Sequence, residues 1–415
     1  MSLTISKSTC YQILYTICVG VPYINIYELT FAVWLVALFL TLQQKYSYSF
    51  FNYLLPYIAI LFLAFFPIFF YNYEISLIIR DITYLLKPII GMIIGYQLCK
   101  SLSNKVILTI IYAGVFIAVI HLTIIFYSAI LHKIINIHVL RGYGGYFSDY
   151  EVYSLVILIF YKNFQLNFSK KRLRTLILIL GFSSFLYVSR TNFIQLFLFY
   201  MTLKGFFRIN LRSITIVSIF IIVSCIGYAV LYNIPLSRNG KGIEALLFKI
   251  KNAPIEAFKT KIDQDDYQDF NDNYRSFENI KTVKQVSRAG TPAILFGKGL
   301  GSTMKIGRVM RSNDGGLVRN ESILHNAYMT VFLKSGLLGV ACLIYSMYVL
   351  MFHKKSEDEM INQINLLLLA TGIFLIFENW VLLGIFLKTE SKAVLIGFII
   401  CYREILSKRL ATDEK

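Results

Sequence analysis

Long apolar segments separated by short polar ones run along most of this chain. Windows of roughly 17 to 25 apolar residues are the length that crosses a bilayer as a helix. About twelve such windows predict spans at 10–25, 27–44, 50–71, 82–99, 105–130, 149–163, 175–189, 191–207, 213–232, 326–352, 362–386 and 391–406. A hydrophobic fraction of 57% and a mean hydropathy of +0.62 lie outside the soluble range. The pattern predicts an all-α polytopic membrane protein embedded in a lipid bilayer.

One long polar stretch, Asn233 to His325, interrupts this pattern. It divides the chain into an N-terminal transmembrane bundle (1–232, about nine helices), a large loop (233–325), and a C-terminal part (326–415, about three helices and a tail). Function in membrane proteins concentrates in such loops, because the spans mostly provide position. The loop is therefore where we expect the chemistry.

The short basic clusters set the predicted orientation. Lys and Arg are densest at 162–174, 204–212 and 353–355 and in the C-terminal tail, and the positive-inside rule places these segments in the cytoplasm. Alternating the spans then puts both termini inside and the 233–325 loop outside. The net charge of +18 is spread over many inter-span loops, so topology accounts for it and we predict no nucleic-acid partner.

Three arginines contradict the charge bias, because Arg80, Arg141 and Arg190 fall in segments predicted to lie outside. Positive charge is disfavoured on that side of the membrane. Arginines placed there are better functional candidates than those that follow the rule.

The loop contains several local patterns. Residues 241–261 alternate apolar and basic positions and predict an amphipathic helix on the membrane surface. The acidic run 263–272 predicts a solvated turn. From Asn273 the spacing is helical, with Arg275 and Glu278 three apart on one face, an arrangement typical of a surface ion pair.

Lys298 lies among Gly297, Gly299 and Gly301, which predicts a tight turn whose backbone can approach a ligand closely. The Walker lysine spacing is missing, so nucleotide binding is not expected. None of the six cysteines falls in the loop, and no His, Asp or Glu cluster there has metal-ligand spacing. The sequence thus predicts activity without a metal or cofactor.

The loop closes on His325-Asn326, followed by Gly336-x-x-Gly339 at the start of the next span. A single histidine at a membrane boundary is more often structural than catalytic, but the whole spacing resembles the signature of the bacterial O-antigen polymerase and O-antigen ligase superfamily. Ser189-Arg190-Thr191 and the Tyr274-Arg275-x-x-Glu278 segment, followed by the glycine turn, carry the rest of the resemblance. It covers about Arg141 to Gly339, whereas the first 130 residues match in topology alone.

The resemblance implies a glycosyltransferase of the bacterial inner membrane, with the large loop in the periplasm. Such enzymes move a glycan from undecaprenyl diphosphate to an acceptor hydroxyl. They must stabilise the negative charge that develops on the diphosphate and remove a proton from the acceptor. The resemblance assigns catalysis to His325, Arg190 and Arg275. Substrate binding is predicted for Arg80, Arg141, Glu278, Lys298 and Asn326, where Arg80 and Arg141 come from topology alone.

Several functions remain open at this point. A polymerase, whose acceptor is another lipid-linked repeat unit, is favoured over a ligase that transfers to lipid A core. A chain-length regulator and a flippase are the further partners expected. The alternative from another class is a lipid-linked oligosaccharide flippase, which would normally show internal repeats and charged groups near mid-membrane. A purely structural membrane protein is the remaining alternative.

Overall fold

The computed structural model describes residues 6–43, 45–102, 105–133, 136–146, 148–207, 211–237, 243–311 and 317–413. These residues form α-helices and one small sheet. The helices are α1 (Lys7–Gly20), α2 (Tyr27–Leu40), α3 (Tyr48–Phe65), α4 (Ile75–Leu102), α5 (Val106–His132), α6 (Ile137–Gly144), α7 (Asp149–Ile159), α8 (Lys170–Leu186), α9 (Arg190–Leu203), α10 (Leu211–Asn233), α11 (Ile243–Phe258), α12 (Tyr267–Asp272), α13 (Tyr274–Arg288), α14 (Thr291–Phe296), α15 (Ala327–Met351), α16 (Glu359–Val381) and α17 (Lys392–Asp413). The strands are β1 (Met304–Arg311) and β2 (Leu317–Glu321).

The structure is that of an all-α membrane protein. Each of the twelve apolar windows contains an α-helix. Five of the helical segments in the described part of the chain are both long and apolar enough to cross a bilayer. They are Tyr48–Phe70, Val106–His132, Thr215–Asn233, Ala327–Met351 and Glu359–Val381. The twelve-span topology therefore stays a prediction.

The chain forms two compact units. The first comprises Met1–Phe62, Ile82–Leu203 and Ala341–Lys415, and the second comprises Leu63–Asp81 and Lys204–Val340. The second unit is thus larger than the 233–325 loop, since it also takes in residues before and after that loop.

In the first unit, α4 and α17 cross with their backbones in contact. A Cβ on Gly95 would lie 1.9 Å from the Val394 carbonyl oxygen, and a Cβ on Gly397 would lie 2.0 Å from that of Met92. Only glycine allows this approach, which is the usual way that helices pack closely where lipid provides no hydrophobic drive. This contact holds the first turns of α17 directly against α4.

In the second unit, α13 and the β1–β2 hairpin pack around one hydrophobic core. The two strands are antiparallel, with Met304 opposite Glu321 and a register shift after Lys305. The buried core residues are Phe270, Phe277, Val286, Ala293, Met304, Ile306, Leu324, Phe332 and Leu333. This core fixes α13 relative to the start of α15.

The acidic run and the predicted amphipathic segment are both partly helical. Asp266 caps α12 by accepting from the backbone N–H groups of Gln268 and Asp269, and Phe270 in that helix is fully buried. The 263–272 segment therefore does more than form a solvated turn. The 241–261 segment contains α11, although residues 241 and 242 lie outside the described residues.

The glycine turn packs against α15, which is kinked there. Gly336 has φ 66° and ψ −164°, and a Cβ on it would lie 2.3 Å from the Leu295 carbonyl oxygen. The N–H groups of Lys298 and Gly299 donate to the carbonyl oxygens of Leu333 and Lys334, at 2.8 and 3.0 Å. Gly336 of the Gly336-x-x-Gly339 pattern is thus needed for this kink, and not only for packing between spans.

Gly336→Ala is expected to destabilise the protein, because residues other than glycine pay about 1–3 kcal/mol in this backbone region before any clash is counted. The thermal unfolding midpoint of the purified protein measures the effect. Gly181→Ala is the matched control, because a Cβ at position 181 meets nothing within 4 Å. Replacing a glycine inside a helix by alanine stabilises the folded protein by about 0.5–1 kcal/mol. Equal midpoints for both variants would contradict this role of Gly336.

Candidate functional site

A histidine held by a buried carboxylate forms the centre of the candidate site. His325 follows β2 and precedes α15, and Glu278 lies on the second turn of α13. The Glu278 side chain is fully buried, whereas that of His325 is 29% exposed. His325 Nδ1 lies 3.0 and 3.1 Å from the two oxygens of Glu278, and the backbone N–H of His325 donates to Oε2 at 3.1 Å.

This double contact fixes both the ring and its tautomer. A carboxylate only accepts hydrogen bonds, so Nδ1 carries the proton that it donates to Glu278. We therefore assign the neutral ring a lone pair on Nε2. This arrangement suits a general base. Nε2 keeps a lone pair that can accept a proton, while Glu278 orients the ring through Nδ1.

Tyr274 packs edge-on against the imidazole. Its ring centroid lies 5.6 Å from that of His325, at an interplanar angle of 88°. Burial raises the pKa of the Tyr274 phenol, and the carboxylates of Glu278 and Glu321 raise it further. The phenol therefore stays protonated beside the imidazole.

The structure separates Arg275 from Glu278, which sequence spacing had paired. Arg275 Nη1 instead lies 3.2 Å from Glu256 Oε1 of α11, with both side chains partly exposed. Glu278 points into the core, since Ser276, Phe277 and Thr282 on the same helix are also buried. The expected ion pair between Arg275 and Glu278 was wrong, because only one of the two residues faces solvent.

Asn326 and Lys298 have structural contacts of their own. Asn326 is buried, and its side-chain oxygen accepts from the Met329 N–H at 3.2 Å, which is a helix N-cap. This cap accounts for the Asn326 oxygen, whereas its buried Nδ2 has no hydrogen-bond partner among the described residues. The Lys298 ammonium lies 5.8 Å from the Tyr71 ring, and burial together with Lys305 lowers its pKa.

A buried ion pair supports the turn and the segment that leads to His325. Lys334 of α15 pairs with Asp81 of α4, and both side chains are buried. The two Asp81 oxygens accept from the Ser322 hydroxyl and the Gly301 N–H, each at 2.6 Å. Lys334 also donates to the Ser322 hydroxyl and to the Ser302 carbonyl oxygen. This pair was not predicted from the sequence, where its signal is a lysine inside an apolar span.

Arg80 is adjacent to this pair. It lies in α4 and not in a loop, and it is close enough to act electrostatically on Lys334. It is therefore the one arginine of the three outside candidates that belongs to the second unit with His325.

Arg141 and Arg190 belong to the first unit and lie near each other. Burial lowers the pKa of the Arg141 guanidinium; Tyr146 opposes this effect, and the charge of Arg190 adds to it. The Arg141 guanidinium also lies over the Tyr146 ring, 5.4 Å from its centroid. Two neighbouring arginines favour a ligand with two negative groups, such as a diphosphate.

A group of charges in the first unit was not predicted from the sequence. Glu378 forms an ion pair with Lys392, which also contacts Asp149. In the same unit, His121 Nδ1 lies within hydrogen-bond distance of the Ser183 hydroxyl, at 2.7 Å, and its ring stacks on that of Tyr187.

No protein-family model matches this chain, and no curated protein is significantly similar to it. The site must therefore be interpreted from its geometry.

Proposed function

We propose that this chain is a surface-polysaccharide polymerase of the bacterial inner membrane. It transfers a glycan from undecaprenyl diphosphate to the hydroxyl of a lipid-linked repeat unit at the periplasmic face. The observation that carries the proposal is the His325–Glu278 pair, a partly exposed imidazole oriented by a buried carboxylate. A structural histidine has no need of such a partner together with an exposed ring.

In this proposal His325 Nε2 accepts the proton of the acceptor hydroxyl as its oxygen attacks the anomeric carbon. The bond from that carbon to the phosphate oxygen breaks, and undecaprenyl diphosphate leaves with the bonding electrons. Glu278 stabilises the imidazolium that forms. Arginines bind the leaving diphosphate, since a guanidinium contacts two phosphate oxygens at once; Arg80, Arg141, Arg190 and Arg275 are the candidates.

A glycan profile of a deletion strain tests the proposal. Lipid A core carrying a single repeat unit supports the polymerase. Full-length glycan retained on undecaprenyl diphosphate, with bare lipid A core, would instead identify a ligase, which uses the same donor and chemistry. An unchanged profile would exclude both.

A flippase is the second candidate function, and the buried charges around Lys392 are what favour it. Charged groups inside membrane helices commonly mark transport pathways. A flippase does not explain the oriented imidazole of the second unit. Loss of the flippase would leave the repeat unit on its lipid carrier at the cytoplasmic side, where a membrane-impermeant glycosidase added to intact spheroplasts cannot reach it.

Glu278→Gln is expected to lower kcat by about 10- to 100-fold with little change in KM, because the carboxylate acts through His325 and not on the substrate. The glutamine amide can also donate to Nδ1, which would place the ring proton on Nε2. Transfer by purified protein with lipid-linked repeat units measures both constants.

Asp269→Asn is the control for that variant, since it removes a partly exposed carboxylate of the same unit that pairs with Lys259. It should leave kcat close to the wild-type value. A change in KM alone for Glu278→Gln would point to substrate binding and against a positioning role.

A further inference from the structure

Three carboxylates from distant parts of the chain converge inside the first unit. Asp149 begins α7, Glu378 lies in α16, and Glu390 precedes α17. One carboxylate oxygen from each lies within 4.8 Å of the others, and the three residues are at most 2% exposed. Like charges this close repel strongly when buried, so the group requires positive charge.

Lys392 supplies part of that charge. Its Nζ contacts Glu378, lies 2.9 Å from Asp149 Oδ2, and is 3.9 Å from the nearer oxygen of Glu390. Lys87 is the second buried cation, but its ammonium donates to the carbonyl oxygens of Leu387 and Lys388. Counted as ionised groups, the three carboxylates and the two lysines carry a formal net charge of −1 in a buried position.

Glu390 is the least satisfied member of the group. Among the described residues, neither of its carboxylate oxygens has a hydrogen-bond partner, and the same holds for Oδ1 of Asp149, Oε1 of Glu378 and the buried Ser391 hydroxyl. Oδ2 of Asp149 has the Lys392 ammonium beside it. An unsatisfied buried acceptor costs about 1–3 kcal/mol, and more when it is charged. A ligand that contacts these oxygens would remove much of that cost.

We propose that this group, the Lys392 cluster (Asp149, Glu378, Glu390, Ser391 and Lys392), binds one sodium ion. Carboxylate and hydroxyl oxygens are the ligands that hard cations prefer. A single positive charge balances the net charge, whereas a divalent ion would overcompensate it. The ion lies on the Glu390 side of the cluster, because Lys392 already contacts the other two carboxylates. Water could satisfy the oxygens but would not balance the charge.

The test is thermal unfolding of the purified full-length protein as NaCl replaces choline chloride at constant ionic strength. Stabilisation by a ligand grows with its concentration relative to Kd, so sodium up to about 200 mM should raise the midpoint in a saturating way, by about 2–4 °C. Binding of radioactive sodium to the wild-type protein provides a direct second measurement.

Glu390→Gln should abolish both the sodium-dependent rise and the bound radioactivity. Glu404→Gln is the matched control, because Glu404 is a largely buried carboxylate of the same unit that bonds Tyr96 and Ser47 instead; it should keep the sodium response. If Glu390→Gln does not fold, Ser391→Ala replaces it and should weaken sodium binding.

Four results would overturn the proposal. The first is no bound sodium and no sodium effect in the wild type, and the second is an equal rise in choline and sodium. The third is a midpoint that responds to pH alone, which would mean that a proton neutralises the cluster. The fourth is a response to calcium but not to sodium.

Discussion

His325→Ala is expected to lower glycan transfer by about 100- to 10,000-fold, the range that a positioned general base contributes. The loss should appear in kcat, because the acceptor can still bind while no group takes its proton. The folded protein should remain, since the His325 side chain is partly exposed and the hydrophobic core of the second unit does not include it. Purified protein with lipid-linked repeat units provides the measurement, and membrane abundance checks the fold.

His132→Ala is the matched control, because His132 is an exposed histidine at the end of α5 that stacks on Tyr143. It should transfer glycan at the wild-type rate. Retention of wild-type activity by His325→Ala would exclude the general-base role.

The second large effect is expected at the buried Asp81–Lys334 pair. Lys334→Met leaves a buried carboxylate without its cation, and removal of one partner of a buried pair typically costs about 3–5 kcal/mol. The hydrogen bonds of Lys334 to Ser302 and Ser322 are lost as well. Thermal unfolding of the purified variants measures the destabilisation.

Asp81→Asn combined with Lys334→Met should be more stable than Lys334→Met alone, because the pair then leaves no uncompensated charge. Glu256→Gln serves as the control, since a partly exposed ion pair contributes at most about 1 kcal/mol. Equal destabilisation by Lys334→Met and Glu256→Gln would show that the buried pair does not support the second unit.

The helices could be predicted from the sequence because their signals are local. Each apolar window contains a helix, and the helical spacing after Asn273 matches α13. The predicted ends of the helices were less accurate where a helix contains charged residues near its end. Arg80 was placed in a loop but lies in α4, which begins at Ile75, and the adjacent Asp81 pairs with the buried Lys334.

The side chain that orients His325 could not be chosen from the sequence. Glu278 was identified as a site residue, yet spacing alone paired it with Arg275. The actual partners come from different elements: Arg275 contacts α11, and Glu278 reaches the residue that precedes α15. Which face of α13 becomes buried depends on core residues far away in the sequence, such as Phe332 and Leu333, and the helical periodicity of α13 does not show which face they contact.

The sequence by itself determined the membrane character, the positions of the helices and the candidate histidine, because hydropathy and periodicity act over neighbouring residues. Tertiary structure alone decided which charges meet: His325 with Glu278, Asp81 with Lys334, and Asp149 with Lys392. The physical reason is burial. A charge inside the protein is tolerated only where a distant segment brings a partner, so pairing follows from the packing of the helices and not from their local sequence.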